Sequence, residues 1–163
     1  MKQKMTQLNE IKLVGITCRT NNSLEMDPET AQIGTTLQKY FSENLAAKLT
    51  NRKNPGTTYC VYTEYESDVT GDYTYFIGEE VNSLEALPEG MFALTIPTQN
   101  YTKFTTKAGS MPMVCISAWQ EIWAMSPQDL GGQRAYAADF EIYDNRAVDP
   151  RKTILDIYIG LKE

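Results

Sequence analysis

The order of predicted secondary-structure elements constrains the fold of this chain more than any other feature of its sequence. IKLVGITCRT (11–20) predicts a first strand, and residues 31–52 predict a helix because apolar side chains recur every three or four positions. TTYCVYTEYES (57–67) and YTYFIGEEV (73–81) predict two more strands joined by a turn that contains Gly71. The first half therefore has the order strand, helix, strand, strand.

The second half repeats this order. MFALTIPTQNYTKFTTKA (91–108) predicts a strand region interrupted by Pro97, and MPMVCISAWQEIWAM (111–125) predicts a helix. AYAADFEIYD (135–144) and TILDIYIGL (153–161) predict the last two strands.

The repeated order predicts an α+β fold of two strand-helix-strand-strand modules, about 10–83 and 91–162. We expect antiparallel sheets, one helix per half and a pseudo-twofold cleft at the seam, where ligand sites commonly form. The two halves share no repeat of letters, so coincidence within an ordinary α+β chain stays open. We expect the whole chain of 163 residues to fold as one domain, apart from the first few residues.

Composition excludes several classes of function. The chain contains no histidine, which removes serine or cysteine triads that depend on it and the commonest metal ligand. Its three cysteines lie far apart in the sequence and form no CxxC pair, so we predict small buried thiols and no metal site or cofactor. A net charge of −6 argues against direct nucleic-acid binding and would favour a cationic partner. Any catalysis would have to use carboxylates, tyrosines, lysines or a thiol without an imidazole.

The sequence also predicts the setting of the protein. No apolar run approaches the length of a membrane span, and no signal-peptide core follows the N-terminal lysines. We therefore expect a cytoplasmic protein with no membrane association. Monomer and homodimer are both compatible with the sequence.

Glu141 is the first candidate for a functional residue. Strand alternation places Phe140 on the core side and Asp139, Glu141 and Tyr143 on the other side. A carboxylate beside aromatic rings suits a lipophilic cation, because the acid supplies charge and the rings supply dispersion and cation–π attraction. A solvated strand face fits the same alternation, and Asp139 in particular is expected to face solvent.

Two other pairs of residues accompany Glu141. Trp119 and Trp123 share a helix face at a spacing of four, so they either form a ligand platform or pack the helix on the sheet. Asp156 and Tyr158 share one face of the last strand. A hairpin near NRAVDPRK would make this strand a neighbour of the Glu141 strand, and we expect the two acid-and-phenol faces to converge.

The layout resembles a known family. YTEYESDVTGDYTYFIGEEV, an LPEGMF strand entry, WQEIW, RAYAADFEIYD and ILDIYIGLK together resemble the effector-binding domains of AraC-type regulators and of gyrase-inhibitor-like proteins. The resemblance spans the chain and is closest to bacterial stand-alone, integron-cassette members that bind cationic drugs. It implies a duplicated fold, a buried acid at Glu141 that receives lipophilic cations, an aromatic at Tyr158 and a second acid at Asp156. Relatives commonly carry a proline in the last strand, where this chain has Gly160.

From the residues and the resemblance together, we predict a module that senses or sequesters lipophilic aromatic cations without catalysis. Its predicted ligand-binding residues are Glu141, Trp119, Trp123, Tyr143, Tyr158 and Asp156. Domains of this family are often fused to a helix-turn-helix region, but only about ten residues precede the first predicted strand, so we expect no DNA-binding domain. A separate regulator protein is then a candidate partner. Two alternatives remain: a hydrolase of reactive electrophiles that uses a pocket glutamate and tyrosine, and a protein-binding inhibitor of the gyrase-inhibitor type.

Overall fold

The structure, a computed structural model, describes residues 1–163 and contains eight strands and four α-helices. The strands are β1 (Lys2–Leu8), β2 (Ile11–Thr20), β3 (Thr58–Thr63), β4 (Tyr73–Glu80), β5 (Phe92–Ile96), β6 (Gln99–Thr105), β7 (Ala138–Tyr143) and β8 (Asp156–Leu161). The helices are α1 (Asn22–Glu25), α2 (Ile33–Ser42), α3 (Met113–Trp123) and α4 (Pro127–Leu130). No helix is both long and apolar enough to cross a lipid bilayer.

All eight strands form one antiparallel sheet in the order β1-β6-β8-β7-β3-β4-β2-β5. This order is symmetric about the central β7–β3 pair, since β8, β6 and β1 follow one another on one side as β4, β2 and β5 do on the other. The edge strands are exchanged: β1 precedes β2 in the chain but pairs with β6, and β5 precedes β6 but pairs with β2. The predicted α+β class is confirmed, whereas a duplication with the proposed repeat boundaries stays a prediction.

The two faces of the sheet bury different sets of side chains. One face carries a cluster built only from the sheet and its flanks, including Phe140 and Tyr158. The opposite face carries two clusters, one with Tyr40 of α2 and one with Trp119 and Ile122 of α3. Helices therefore cover one face, in two separate places.

Four elements differ from the sequence-based expectation. The first residues form β1 and are not loose, because this polar strand is held by backbone pairing to β6 over seven residue pairs. The predicted 31–52 helix ends at Ser42, and a 3-10 turn follows after Asn44 adopts a left-handed φ of 49°. Two short helices, α1 and α4, are additional.

Gly15 and Gly78 face each other across the β2–β4 pair. A Cβ on either residue would collide with the backbone of the opposite strand. Gly15 therefore marks a close approach of two strands, as strand glycines often do.

Candidate functional site

A cleft with a volume of about 310 Å³ opens on the helix-covered face, between elements of the two halves of the chain. One wall comes from α1, α2, β3 and β4, and the other comes from α3 and β7. Most lining residues are apolar or aromatic: Ile33, Leu37, Tyr62, Tyr65, Val69, Tyr73, Tyr75, Met111, Pro112, Cys115, Ile116, Trp119, Trp123 and Tyr143. Asn22, Glu25, Arg134 and Glu141 supply the polar part of the lining.

Glu141 lies in the central strand pair, opposite Cys60 on β3, and only 3% of its surface is exposed. Its Oε2 accepts hydrogen bonds from Trp119 Nε1 at 2.7 Å and from Cys115 Sγ at 3.3 Å. Its Oε1 accepts hydrogen bonds from the Tyr143 hydroxyl at 2.9 Å and from the Tyr62 hydroxyl at 3.4 Å. All four donors are neutral groups, and no cationic side chain forms an ion pair with this carboxylate.

Burial raises the pKa of the Glu141 carboxyl above its ordinary value, although the four hydrogen bonds act in the opposite direction. Burial, together with the charge of Glu141, also raises the pKa of the Tyr62, Tyr143 and Cys115 side chains. These groups therefore stay protonated and remain donors near neutral pH. The carboxyl group of Glu141 is thus hydrogen-bonded on both oxygens but has no cationic partner.

Asp139 corrects the expectation of a solvent-facing acid. It is completely buried and accepts a 2.7 Å hydrogen bond from Arg134 Nη2, with which it forms an ion pair. Its carboxylate also accepts hydrogen bonds from the Tyr65 hydroxyl at 2.6 Å and from the Gly160 amide at 2.7 Å. The alternation rule placed Asp139 on the correct face but could not show that Arg134 covers it. A proline at position 160 could not donate the last of these bonds.

Glu25 contributes a second carboxylate to the cleft wall, but its oxygens are also engaged. It accepts hydrogen bonds from the Thr20 hydroxyl at 2.5 Å and from the amides of Gln32 and Ile33 at 2.9 and 3.0 Å. Those amides lie at the N-cap residue and the first residue of α2, where a carboxylate satisfies otherwise unpaired N–H groups. Glu25 thus anchors α1 to the start of α2.

Trp119 and Trp123 both line the cleft, with their ring centroids 6.3 Å apart. Trp119 is buried, packs edge-on against Tyr62 at 5.1 Å and donates to Glu141. Trp123 is 53% exposed and lies toward solvent. Trp119 therefore packs the helix on the sheet and also borders the cleft, whereas the ligand platform stays a prediction.

The expectation that Asp156 and Tyr158 converge with Glu141 is wrong. β7 and β8 are neighbours, but their register pairs Phe140 with Tyr158 and Glu141 with Ile157. Tyr158 therefore stacks on Phe140 at 4.8 Å, on the face away from the cleft.

Asp156 lies on the same far face as Tyr158 and is committed to other partners. It accepts a 2.6 Å hydrogen bond from Arg146 and a 2.7 Å hydrogen bond from Thr105. Burial opposes ionisation of this carboxyl, but these hydrogen bonds lower its pKa.

Several lining residues were not singled out from the sequence. Cys115 precedes Trp119 by four residues on α3, so the helical spacing already placed both on one face. Tyr62 lies on β3 and faces Asp139 across the β3–β7 pair, a register that alternation within one strand does not determine. Arg134 lies in a loop before β7, where no periodicity could have indicated its position.

Comparisons with known proteins agree with this architecture. A family model described as integron-associated effector binding protein matches residues 4–161. The integron cassette protein VCH_CASS2 of Vibrio cholerae superposes with a TM-score of 0.78 at 32% identity, covering 98% of this chain and 95% of that chain. YobU of Bacillus subtilis, whose name describes a candidate transcriptional regulator, is 27% identical over 98% of this chain and 97% of its own length.

A third similar protein was solved with a ligand. The structure of SAV2435 bound to tetraphenylphosphonium superposes with a TM-score of 0.78 at 22% identity, covering 99% of this chain and 94% of that chain. This likeness shows a shared fold. The match of the family model over nearly the whole chain, together with the Vibrio cholerae relative, shows that this chain belongs to the integron-associated effector-binding proteins.

Proposed function

We propose that this protein binds lipophilic aromatic monocations in the cleft around Glu141 and thereby senses or sequesters them. The observation that carries the proposal is a buried carboxylate with no cationic partner on the wall of a largely aromatic cleft. Burying such a charge without compensation costs several kcal/mol. A bound cation would remove this penalty, while the surrounding rings would contribute dispersion and cation–π attraction.

Trp119, Trp123 and Tyr143 are the aromatic walls in this proposal. All three border the same cleft as Glu141. The tetraphenylphosphonium carried by SAV2435 is a cation of the proposed kind, in a protein of the same fold. A separate regulator chain would supply any transcriptional output.

Isothermal titration calorimetry with tetraphenylphosphonium tests the proposal. At an effective dielectric constant of about 20 and a separation of about 6 Å, the charge of Glu141 contributes roughly 3 kcal/mol. We therefore expect Glu141→Gln to weaken binding roughly 100-fold. Tetraphenylborate, which has a similar shape and the opposite charge, should not bind the parent protein.

Asp156→Asn is the matched control, because it also converts a buried acid to an amide but on the face away from the cleft. It should bind tetraphenylphosphonium as the parent protein does. Equal affinity of the parent protein and Glu141→Gln would refute the proposal, as would equal binding of the phosphonium and the borate.

The hydrolase alternative has less support from the geometry. A general base must reach the water molecule that it activates. Both oxygens of Glu141 already accept two hydrogen bonds each, so a water molecule would have to displace one of these donors. The inhibitor alternative is supported only by the net charge of −6.

A further inference from the structure

The hydrogen-bonding capacity of Glu141 is used up within the protein itself. A carboxylate has about four lone-pair sites, two on each oxygen. Trp119 and Cys115 donate to one oxygen, and Tyr143 and Tyr62 donate to the other. A cationic ligand in the cleft would therefore be attracted by the charge of Glu141 but would find no free lone pair on its oxygens for a hydrogen bond.

The other polar groups of the cleft offer little more. The Glu25 carboxylate accepts three hydrogen bonds from its own surroundings. Asn22 donates to the Val69 carbonyl and accepts from the Tyr73 hydroxyl. Arg134 has donors only. The lining tyrosine hydroxyls donate their protons within the protein, except the buried Tyr75 hydroxyl, which has no partner. They offer only neutral acceptor lone pairs to a ligand.

This arrangement distinguishes between cations of equal charge. A primary ammonium brings three N–H donors, and each donor left unpaired in an apolar cleft weakens binding. The neutral lone pairs of the lining tyrosine hydroxyls are weaker acceptors for the N–H groups of a cation than a carboxylate, so they replace its hydration only in part. A quaternary ammonium or a phosphonium has no such donors, so it loses nothing when the acceptors are already occupied.

We infer, resting on the proposed function above, that the cleft selects onium cations without N–H groups over primary ammonium ions on the same scaffold. Trp119, Tyr143, Tyr62 and Cys115 act as a donor ring around Glu141 that leaves its charge available and its lone pairs filled. The four residues of this donor ring are positioning residues for the carboxylate. Two of them, Trp119 and Tyr143, make its shorter bonds.

Calorimetry of the full chain with two matched ligands tests this inference. The ligands are biphenylmethylammonium and its N,N,N-trimethyl derivative, which share one aromatic scaffold and one positive charge at neutral pH. We expect the trimethyl cation to bind the parent protein about tenfold more tightly, or more, because it has no unpaired donors. Equal affinities, or tighter binding of the primary ammonium, would overturn the inference.

A primary ammonium is also more strongly hydrated than a trimethylammonium, which weakens its binding to any apolar cleft. A variant must therefore separate this effect of hydration from the effect of the donor ring. Tyr143→Phe keeps the aromatic side chain but removes its hydroxyl donor, which frees a lone pair on Glu141 Oε1. We expect the affinity ratio of the two ligands to fall about threefold or more in this variant. Tyr101→Phe is the control, because it removes a buried hydroxyl that has no partner and lies outside the cleft.

The results separate this inference from the proposed function. If the affinity ratio of the two ligands is the same in Tyr143→Phe, Tyr101→Phe and the parent protein, the role assigned to the donor ring is wrong. Loss of tetraphenylphosphonium binding in Glu141→Gln would still support a cation site in that case. If neither cation binds the parent protein while tetraphenylphosphonium does, this inference fails and the proposed function stands.

Discussion

Two acids on β7, two residues apart, are both buried and yet have opposite surroundings. Asp139 is paired with the guanidinium of Arg134 and also accepts from Tyr65 and the Gly160 amide. Glu141 accepts only from neutral donors and borders the open cleft. Arg134 thus balances the charge of Asp139, whereas Glu141 has no cationic partner.

The difference shows that burial alone does not identify a binding acid. A buried ion pair with further hydrogen bonds is self-contained, and removing one partner leaves an uncompensated charge. A buried carboxylate without a cation is the group that a ligand can complete. The comparison predicts that changes at Asp139 affect stability and that changes around Glu141 affect binding.

The largest expected effect is the loss of stability in Asp139→Asn. Arg134 would then lie nearly buried without its counter-ion, which typically costs about 3–5 kcal/mol of unfolding free energy. Urea unfolding followed by circular dichroism measures the change. Asp149→Asn, in an exposed pair with Arg151, should leave the unfolding midpoint unchanged. If the two variants were equally stable, Asp139 would not have the structural role assigned to it.

The next effect is the pH dependence of stability that arises from Glu141. Because the pKa of this acid is raised on folding, its stabilising contribution is present below the unfolded pKa of about 4.3 and is lost as the pH rises through the folded pKa. The unfolding free energy of the parent protein should therefore fall relative to Glu141→Gln across this window, by about 1.4 kcal/mol for each pH unit by which folding raises the Glu141 pKa. Urea unfolding at a series of pH values measures the difference.

Tetraphenylphosphonium affinity should change in the opposite direction, since rising pH ionises Glu141. Calorimetry at a series of pH values measures this, and subtracting the Glu141→Gln profile removes the contribution of all other groups. Tyr62, Tyr143 and Cys115 should not contribute, because the pKa of each is raised. If the tetraphenylphosphonium affinities of the parent protein and of Glu141→Gln are both independent of pH from 4 upward, ionisation of Glu141 does not control binding.

Trp123→Ala sharpens the comparison within the cleft. The ring is half-exposed, so its removal should leave the unfolding midpoint unchanged while tetraphenylphosphonium affinity falls roughly fivefold. Titration calorimetry and thermal unfolding together measure the two quantities. A change confined to stability would remove Trp123 from the binding surface.

The smallest expected effect belongs to Tyr158→Phe. Tyr158 lies on the far face of the sheet against Phe140, so tetraphenylphosphonium affinity should change by less than about twofold. The same titration measures it. A loss of tenfold or more would restore the ligand-binding role that the resemblance implied for this residue.

The sequence predicts the order of the main strands and helices because their cores follow regular apolar spacings. It does not predict β1, whose side chains are mostly exposed and polar and whose position depends on backbone bonds to a distant strand. The strands β7 and β8 are both predicted, but their relative register is not. A shift of one residue decides whether Tyr158 faces Glu141 or Phe140, and spacing within one strand does not determine it.

For the candidate site, the sequence points to Glu141, Tyr143 and the two tryptophans through alternation and helical spacing. Alternation alone could not distinguish the surroundings of Glu141 from those of Asp139, since both acids share one face and differ only in the partners brought to them. The partner of Asp139 comes from the loop before β7, and a loop has no periodicity from which its position can be inferred.

The exchanged edge strands join the two halves of the chain at both ends of the sheet. Three of the seven strand ladders, β1–β6, β7–β3 and β2–β5, join residues 1–83 to residues 91–162. The two walls of the cleft are thereby fastened to each other at the centre and at both ends of the sheet. Such a frame opposes a hinge motion between the halves, so we expect a preorganised cleft that would select ligands by fit.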